Sequence, residues 1–155
     1  MKEMPFRWAH VVVGLVVVAA VVAIAHRGAA NAPMGHYMLP GGGIVYDTKT
    51  QLTWQQVPVL QKDWANAQVY CSSNTAQLPG TGWRLPNPKE LQTIVDESQG
   101  NPAIDQTAFP NTPTAALWTS SLVAGNMGSA WVVAFDTGGV YNDPLTDTPG
   151  VRCVR

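Results

Sequence analysis

The sequence predicts an α+β domain, two helices with short antiparallel strands, and three observations carry that expectation. Apolar residues recur at helical spacing twice in the first half, at Leu60, Trp64, Ala67 and Cys71 and again at Leu91, Ile94 and Val95. Short β-branched and aromatic runs punctuated by Gly, Asn, Asp and Pro fill the second half. Only 12% of the 155 residues are charged, well below the usual quarter, which describes a loop-rich chain around one core rather than a helical bundle.

The N-terminus differs from the rest. Lys2 and Arg7 precede an unbroken apolar run over residues 11–25, a positive n-region followed by an h-region, so residues 1–25 read as an export signal. The run is shorter than the roughly 20 residues that span a bilayer as a helix, which favours cleavage. Small-x-small sites end at Ala25 and at Ala32, and the first is preferred because Pro33 follows the second. The expected location is the periplasm, the outer surface or the medium. The alternative is an uncleaved anchor in the inner membrane with the domain outside the cytoplasm, and membrane contact is expected only through that segment.

Residues 26–43 contain Gly, Ala, Asn and Pro and end in Gly41-Gly42-Gly43, which reads as a linker before a domain over residues 44–155. Residues 44–46 and 52–54 suggest a hairpin around a five-residue turn at 47–51. A helix then runs from Leu60, with Cys71 on its inward stripe. Asn87-Pro88-Lys89-Glu90 starts a second helix, because Asn can cap, Pro suits the first helical position and Glu90 can close a capping box. That helix is expected to end near residues 96–98, ahead of an irregular region reaching Pro113. Residues 117–122, 130–135, 140–141 and 151–154 read as four further strands, with a hairpin turn at 136–139.

Export decides the cysteines. Two cysteines in an oxidising compartment pair, so Cys71 is expected to bond Cys153 and to close a loop of about 80 residues. Loop entropy gives such a bridge ~4–5 kcal/mol.

The chemistry-bearing residues are sparse. His10, His26 and His36 all fall in the signal or linker, which removes the commonest general base and metal ligand from the domain. Asp96 and Glu97 are neighbours and diverge if helical, so they do not flank one bond. No catalytic residue and no cofactor are expected, and the protein reads as a non-enzyme. From Tyr37 onward three Lys and three Arg face seven Asp and two Glu, a net charge of −3, which excludes nucleic acid as a partner. Asp136, Asn142, Asp143 and Asp147 are the residues that could surround one calcium ion, yet their spacing matches no defined loop and they read first as turn formers. Trp64 and Trp131 read as core. Trp118 is the first choice for an exposed, ligand-stacking ring, with hydroxyls at Thr119 and Ser120 beside it. Arg84, set between Trp83 and Leu85, reads as a buried guanidinium that needs Glu90 or Asp96 as partner.

The run Gly82-Trp83-Arg84-Leu85-Pro86, followed by Glu90-Leu91, resembles the signature of the Lcl C-terminal domain, a bacterial exported family. Around it, Trp54, Trp64 and Cys71 before and Phe109-Pro110, Trp118-Thr119-Ser120, Trp131 and Arg152-Cys153 after stand in the order that family has them. The resemblance implies a C-type-lectin-like fold, related to that of formylglycine-generating enzymes, in which a mid-chain helix is disulfide-linked to the last strand. It also implies a lectin-like binding module for a glycan, a cell-envelope component or a partner protein, with residues 98–116 and 136–150 as the binding loops. The alternative is a membrane-anchored structural component of a surface assembly.

Overall fold

The computed structural model describes residues 32–155, so the segment at 1–25 expected to be an export signal or anchor, with His10, His26 and the cleavage expected after Ala25, lies outside the described residues. The elements run β1 (Tyr37–Gly41), β2 (Ile44–Asp47), β3 (Thr53–Gln55), α1 (Trp64–Ser72), α2 (Pro88–Gln92), β4 (Ala116–Val123), β5 (Asn126–Ala134) and β6 (Val140–Pro144). They form two three-stranded antiparallel sheets, ordered β1-β2-β3 and β4-β5-β6.

This architecture corrects the expected fold class. The regular structure of the described residues is mostly β, the two helices among them have nine and five residues, and the α+β, C-type-lectin-like arrangement is not what forms. Local chemistry explains the shortened helices. Asp63 caps α1 by accepting from Asn66 N at 2.8 Å, so helix begins only at Trp64 and Leu60 is left exposed ahead of it. At α2 the capping box forms, with Asn87 Oδ1 accepting from Glu90 N at 2.9 Å and Glu90 Oε2 accepting from Asn87 N at 2.8 Å. Thr93 then ends the helix, its hydroxyl and its N–H both donating to Glu90 O.

Residues 37–41, read as linker, instead make the edge strand β1. Gly41, Gly42 and Gly43 all have positive φ (89°, 66° and 73°) and turn the chain back into β2. A Cβ on Gly42 would stand 2.7 Å from Pro79 Cγ, so the glycine run is a packed turn. The five-residue turn between β2 and β3 is held by Asp47, which is fully buried and accepts from Lys49 N (2.8 Å) and from the Thr50 hydroxyl (2.7 Å).

Period-two alternation on β4 and β5 splits the core across the second sheet. Trp118 and Val132 face one cluster, which contains Cys71 and Cys153, whereas Leu117, Val133 and Phe135 face the other, with Leu91, Ile94, Trp54 and Phe109. The C-terminal tail stitches the halves together through isolated bridges rather than a full strand. Val151 pairs with Val59, and Val154 pairs with both Trp54 and Arg84. Cys71 and Cys153, both buried, are bonded at an S–S distance of 1.99 Å, and the described residues contain no free cysteine.

Arg84 is not the buried arginine. Its side chain is 48% exposed and forks onto Glu90, with Nη1 donating to Oε2 at 2.8 Å and Nη2 to Oε1 at 2.7 Å. The hydrogen bond from Arg84, more than any other contact, holds the Glu90 carboxyl below its ordinary value of 4.5. A lowered folded value means that the contribution is complete above pH 4.5 and drains as the pH falls through the folded value. Arg84→Met is therefore expected to cost about 1 kcal/mol at pH 7, small because the pair is partly solvated, without altering ligand binding. Urea unfolding at pH 7 and pH 3 checks this, and a deficit that fails to shrink in acid counts against it.

The buried charge is Arg152. It is fully enclosed, with its guanidinium 4.7 Å from the centre of the Phe109 ring. Nη2 donates to Thr112 Oγ1 (2.8 Å) and Gln56 O (3.2 Å), while Nε and Nη1 have no hydrogen-bond partner among the described residues. Burial pushes the guanidinium down to about 9, so it stays charged at neutral pH.

Candidate functional site

Residues 32–36 lead into β1 as a short strap, and side-chain chemistry fixes where it lies. The Thr48 hydroxyl donates to the carbonyls of Gly35 (2.9 Å) and His36 (3.0 Å), and Thr48 N also donates to His36 O. His36 Nε2 stands 3.1 Å from Asp47 Oδ1. The imidazole stacks on Tyr37, with centroids 4.3 Å apart and planes 14° from parallel, and Tyr37 meets Phe109 edge-on at 5.0 Å. His36, expected to lie in a linker, thus belongs to the domain.

The facing wall comes from the turn after α2. Because the helix stops at Gln92, Asp96 and Glu97 lie beyond it and are free of helical divergence. Asp96 N donates to Ala103 O at 2.9 Å and draws residues 98–105 alongside. Asp105 is buried, its Oδ1 accepting from Thr107 N (2.8 Å) and Ala108 N (3.2 Å).

Between strap and loop lies a cleft of about 300 Å³ lined by His36, Tyr37, Thr93, Asp96, Glu97 and Asp105. A smaller cleft of about 190 Å³ on the strap's other side shares Tyr37 and Asp105 and adds Met34 and Leu39. Burial first, then the carboxylates of Asp47, Asp105 and Asp96, hold the Tyr37 phenol well above its usual range. The site therefore offers an apolar stacked face, one neutral phenolic donor and several carboxylate acceptors. That combination suits a hydroxyl-rich or amine-bearing ligand and repels anions.

The residues singled out from sequence fare differently. Trp118 is fully buried, its Nε1 donating to Lys62 O at 2.8 Å, and Thr119 is fully buried, its hydroxyl donating to Trp131 O at 2.8 Å. Ser120 N donates to Pro86 O, which ties β4 to the Trp83-Arg84-Leu85-Pro86 run. Trp118 and Thr119 are therefore part of the interior and not a ligand surface, while Ser120 is half-buried: β4 has β5 on one side and Gly150 bridged on the other, with Trp118 and Leu117 facing the two core clusters. Trp64 and Trp131, expected in the core, are the half-buried ones. The four calcium candidates do not converge. Asn142 and Asp143 are successive residues of β6 opposite Trp131 and Ala130, and so point to opposite faces. Asp136 lies in the turn before that strand and Asp147 in the turn after it. Among the described residues no three His, Cys, Asp or Glu side chains could hold a metal ion together.

A third cleft, of about 360 Å³, opens at the start of α1 and is lined by Asp63, Trp64, Asn66, Leu145 and Thr146. His36, Tyr37 and Asp105 are the site residues that sequence reasoning passed over. For His36 and Tyr37 the signal is the apolar run Tyr37-Met38-Leu39 shortly before a glycine turn and a second apolar stretch, which is a hairpin pattern, whereas Asp105 has no such local signal.

The family model described as the Lcl C-terminal domain matches residues 43–155. No curated protein matches the chain.

Proposed function

The chain belongs to the Lcl C-terminal domain family, and from that premise we propose that it is an exported binding module whose strap cleft takes a hydroxyl-rich or amine-bearing ligand, a glycan or another envelope component. The single observation that carries this reading is the meeting of the stacked His36–Tyr37 pair with the carboxylates of Asp96, Glu97 and Asp105 in one cleft. An aromatic face matches the apolar face of a pyranose, and carboxylates accept from its hydroxyls. Export is supported by the buried disulfide, a feature that persists in oxidising compartments.

Screening the purified, disulfide-intact protein against glycans and envelope extracts tests the reading. Glu97→Gln and Tyr37→Phe, which keep the fold's packing, are expected to weaken binding by roughly fivefold each. Silence across all ligands, or binding indifferent to both changes, refutes it. A second reading rests on the same three carboxylates, since glycoside hydrolysis uses a carboxyl pair in one cleft. Turnover of chromogenic glycosides that Glu97→Gln abolishes would favour that reading over simple binding.

A further inference from the structure

We propose that the cleft at the N-terminal end of α1 is a separate binding site for a neutral hexose, with Trp64 as its platform. Trp64 is half-buried and held from two directions. Its Nε1 donates to Thr119 O at 2.8 Å, and its backbone N donates to Leu145 O at 3.2 Å. The ring packs partly against the core cluster that contains Cys71 and Trp118 and partly lines the cleft, and with its one polar atom satisfied internally it offers the cleft an apolar, already ordered surface.

Polar groups stand at the rim of that surface. Asp63 Oδ2 accepts from Asn66 Nδ2 and its Oδ1 from Asn66 N, both at 2.8 Å, so carboxylate and carboxamide are locked together in one orientation. A carboxylate has about four lone-pair sites, so this pair of bonds leaves Asp63 with acceptor capacity for ligand hydroxyls, and Asn66 retains its carbonyl oxygen and a second amide hydrogen. Thr146 brings a hydroxyl and Leu145 an apolar edge from the loop after β6. A ligand matching this layout is apolar on one face and carries hydroxyl donors around its edge, which is the chemistry of a pyranose. The hydrogen bonds from Asn66 also hold the Asp63 carboxyl below its usual range, so it is ionised at neutral pH and disfavours sulfated or carboxylated sugars. The volume of about 360 Å³ exceeds what a single hexose fills and leaves room for a neighbouring ring of a longer chain.

No residue lines both this cleft and the strap cleft, so the two stand or fall separately. The test is titration of the purified, disulfide-intact protein with glucose, galactose, mannose and N-acetylglucosamine, following the Trp64 indole N–H by NMR. A shift of that resonance with saturation in the millimolar range is expected for at least one of the four. Asn66→Ala and Thr146→Ala, both at exposed positions, are expected to weaken it roughly fivefold each, while Glu97→Gln leaves it unchanged. An unmoved Trp64 resonance with all four sugars overturns the proposal, and so does a titration insensitive to both alanine variants. Binding that Glu97→Gln removes and Asn66→Ala spares would assign the sugar to the strap cleft and equally overturn it.

Discussion

Removing the Cys71–Cys153 bridge, by reduction or as Cys71→Ala with Cys153→Ala, is expected to lower stability by about 4.5 kcal/mol and the melting temperature by roughly 15–25 °C. The bridge spans 82 positions, and a cross-link of that reach removes much of the denatured chain's freedom. The native state adds a second reason. Beyond Gly150 the tail is held by single bridges: Cys153 O accepts from Gln55 N, Val154 exchanges bonds with Arg84, and Arg155 does so with Thr53. These bonds reach separate segments of the chain rather than one continuous strand, and the covalent tie holds the tail in register with all of them. Urea and thermal unfolding with and without reductant measure the effect. A loss under about 1 kcal/mol would mean that the tail's hydrogen bonds and the apolar burial of Val151 and Val154 suffice.

The disulfide was legible in the sequence because it depends only on compartment and count, and the Asn87–Glu90 capping box because it is closed within four residues. The Asp47 turn is equally local. What escaped is long-range. Leu60 sits at helical spacing from Trp64, yet the Asp63 cap outcompetes it, and a periodic stripe says nothing about which residue supplies the first cap. Gly41-Gly42-Gly43 has the composition of a linker, and only the approach of Pro79 shows it to be a packed turn. The choice of Trp118 over Trp64 for exposure failed for a similar reason. Both have polar neighbours in sequence, but Trp118 lies on a strand closed on both faces while Trp64 opens a helix at the surface.

The strap cleft shows the same limit at the level of the site. Asp96 and Glu97 diverge only if helical, and they lie in a turn past the C-cap at Thr93, where both line the strap cleft. His36 joins them through Asp47, eleven positions away, and Tyr37 through Phe109, which lies in a different half of the chain. No local pattern encodes those meetings. They follow from β1 pairing with β2, and hence from the glycine turn.

Arg152→Met is expected to be at least as stable as the parent, whereas Arg152→Ala is expected to cost about 3–4 kcal/mol. The guanidinium is an enclosed cation that pairs with no carboxylate among the described residues, where two of its nitrogens also lack partners. Each unpaired buried group costs about 1–3 kcal/mol, and the stacking on Phe109 together with two hydrogen bonds from Nη2 offsets only part of that. Methionine keeps the length that fills the space over Phe109 and sheds the charge. Two acceptors lose their donor, Thr112 Oγ1 and the Gln56 carbonyl, but the Thr112 hydroxyl keeps its own bond to Phe109 O at 2.8 Å. Alanine sheds the charge as well but opens a void against Phe109, and its cost therefore measures packing. Parallel urea titrations of the two variants separate the contributions. If methionine falls as far as alanine, the positive charge itself stabilises this half of the core, through the Phe109 ring and the two hydrogen bonds from Nη2.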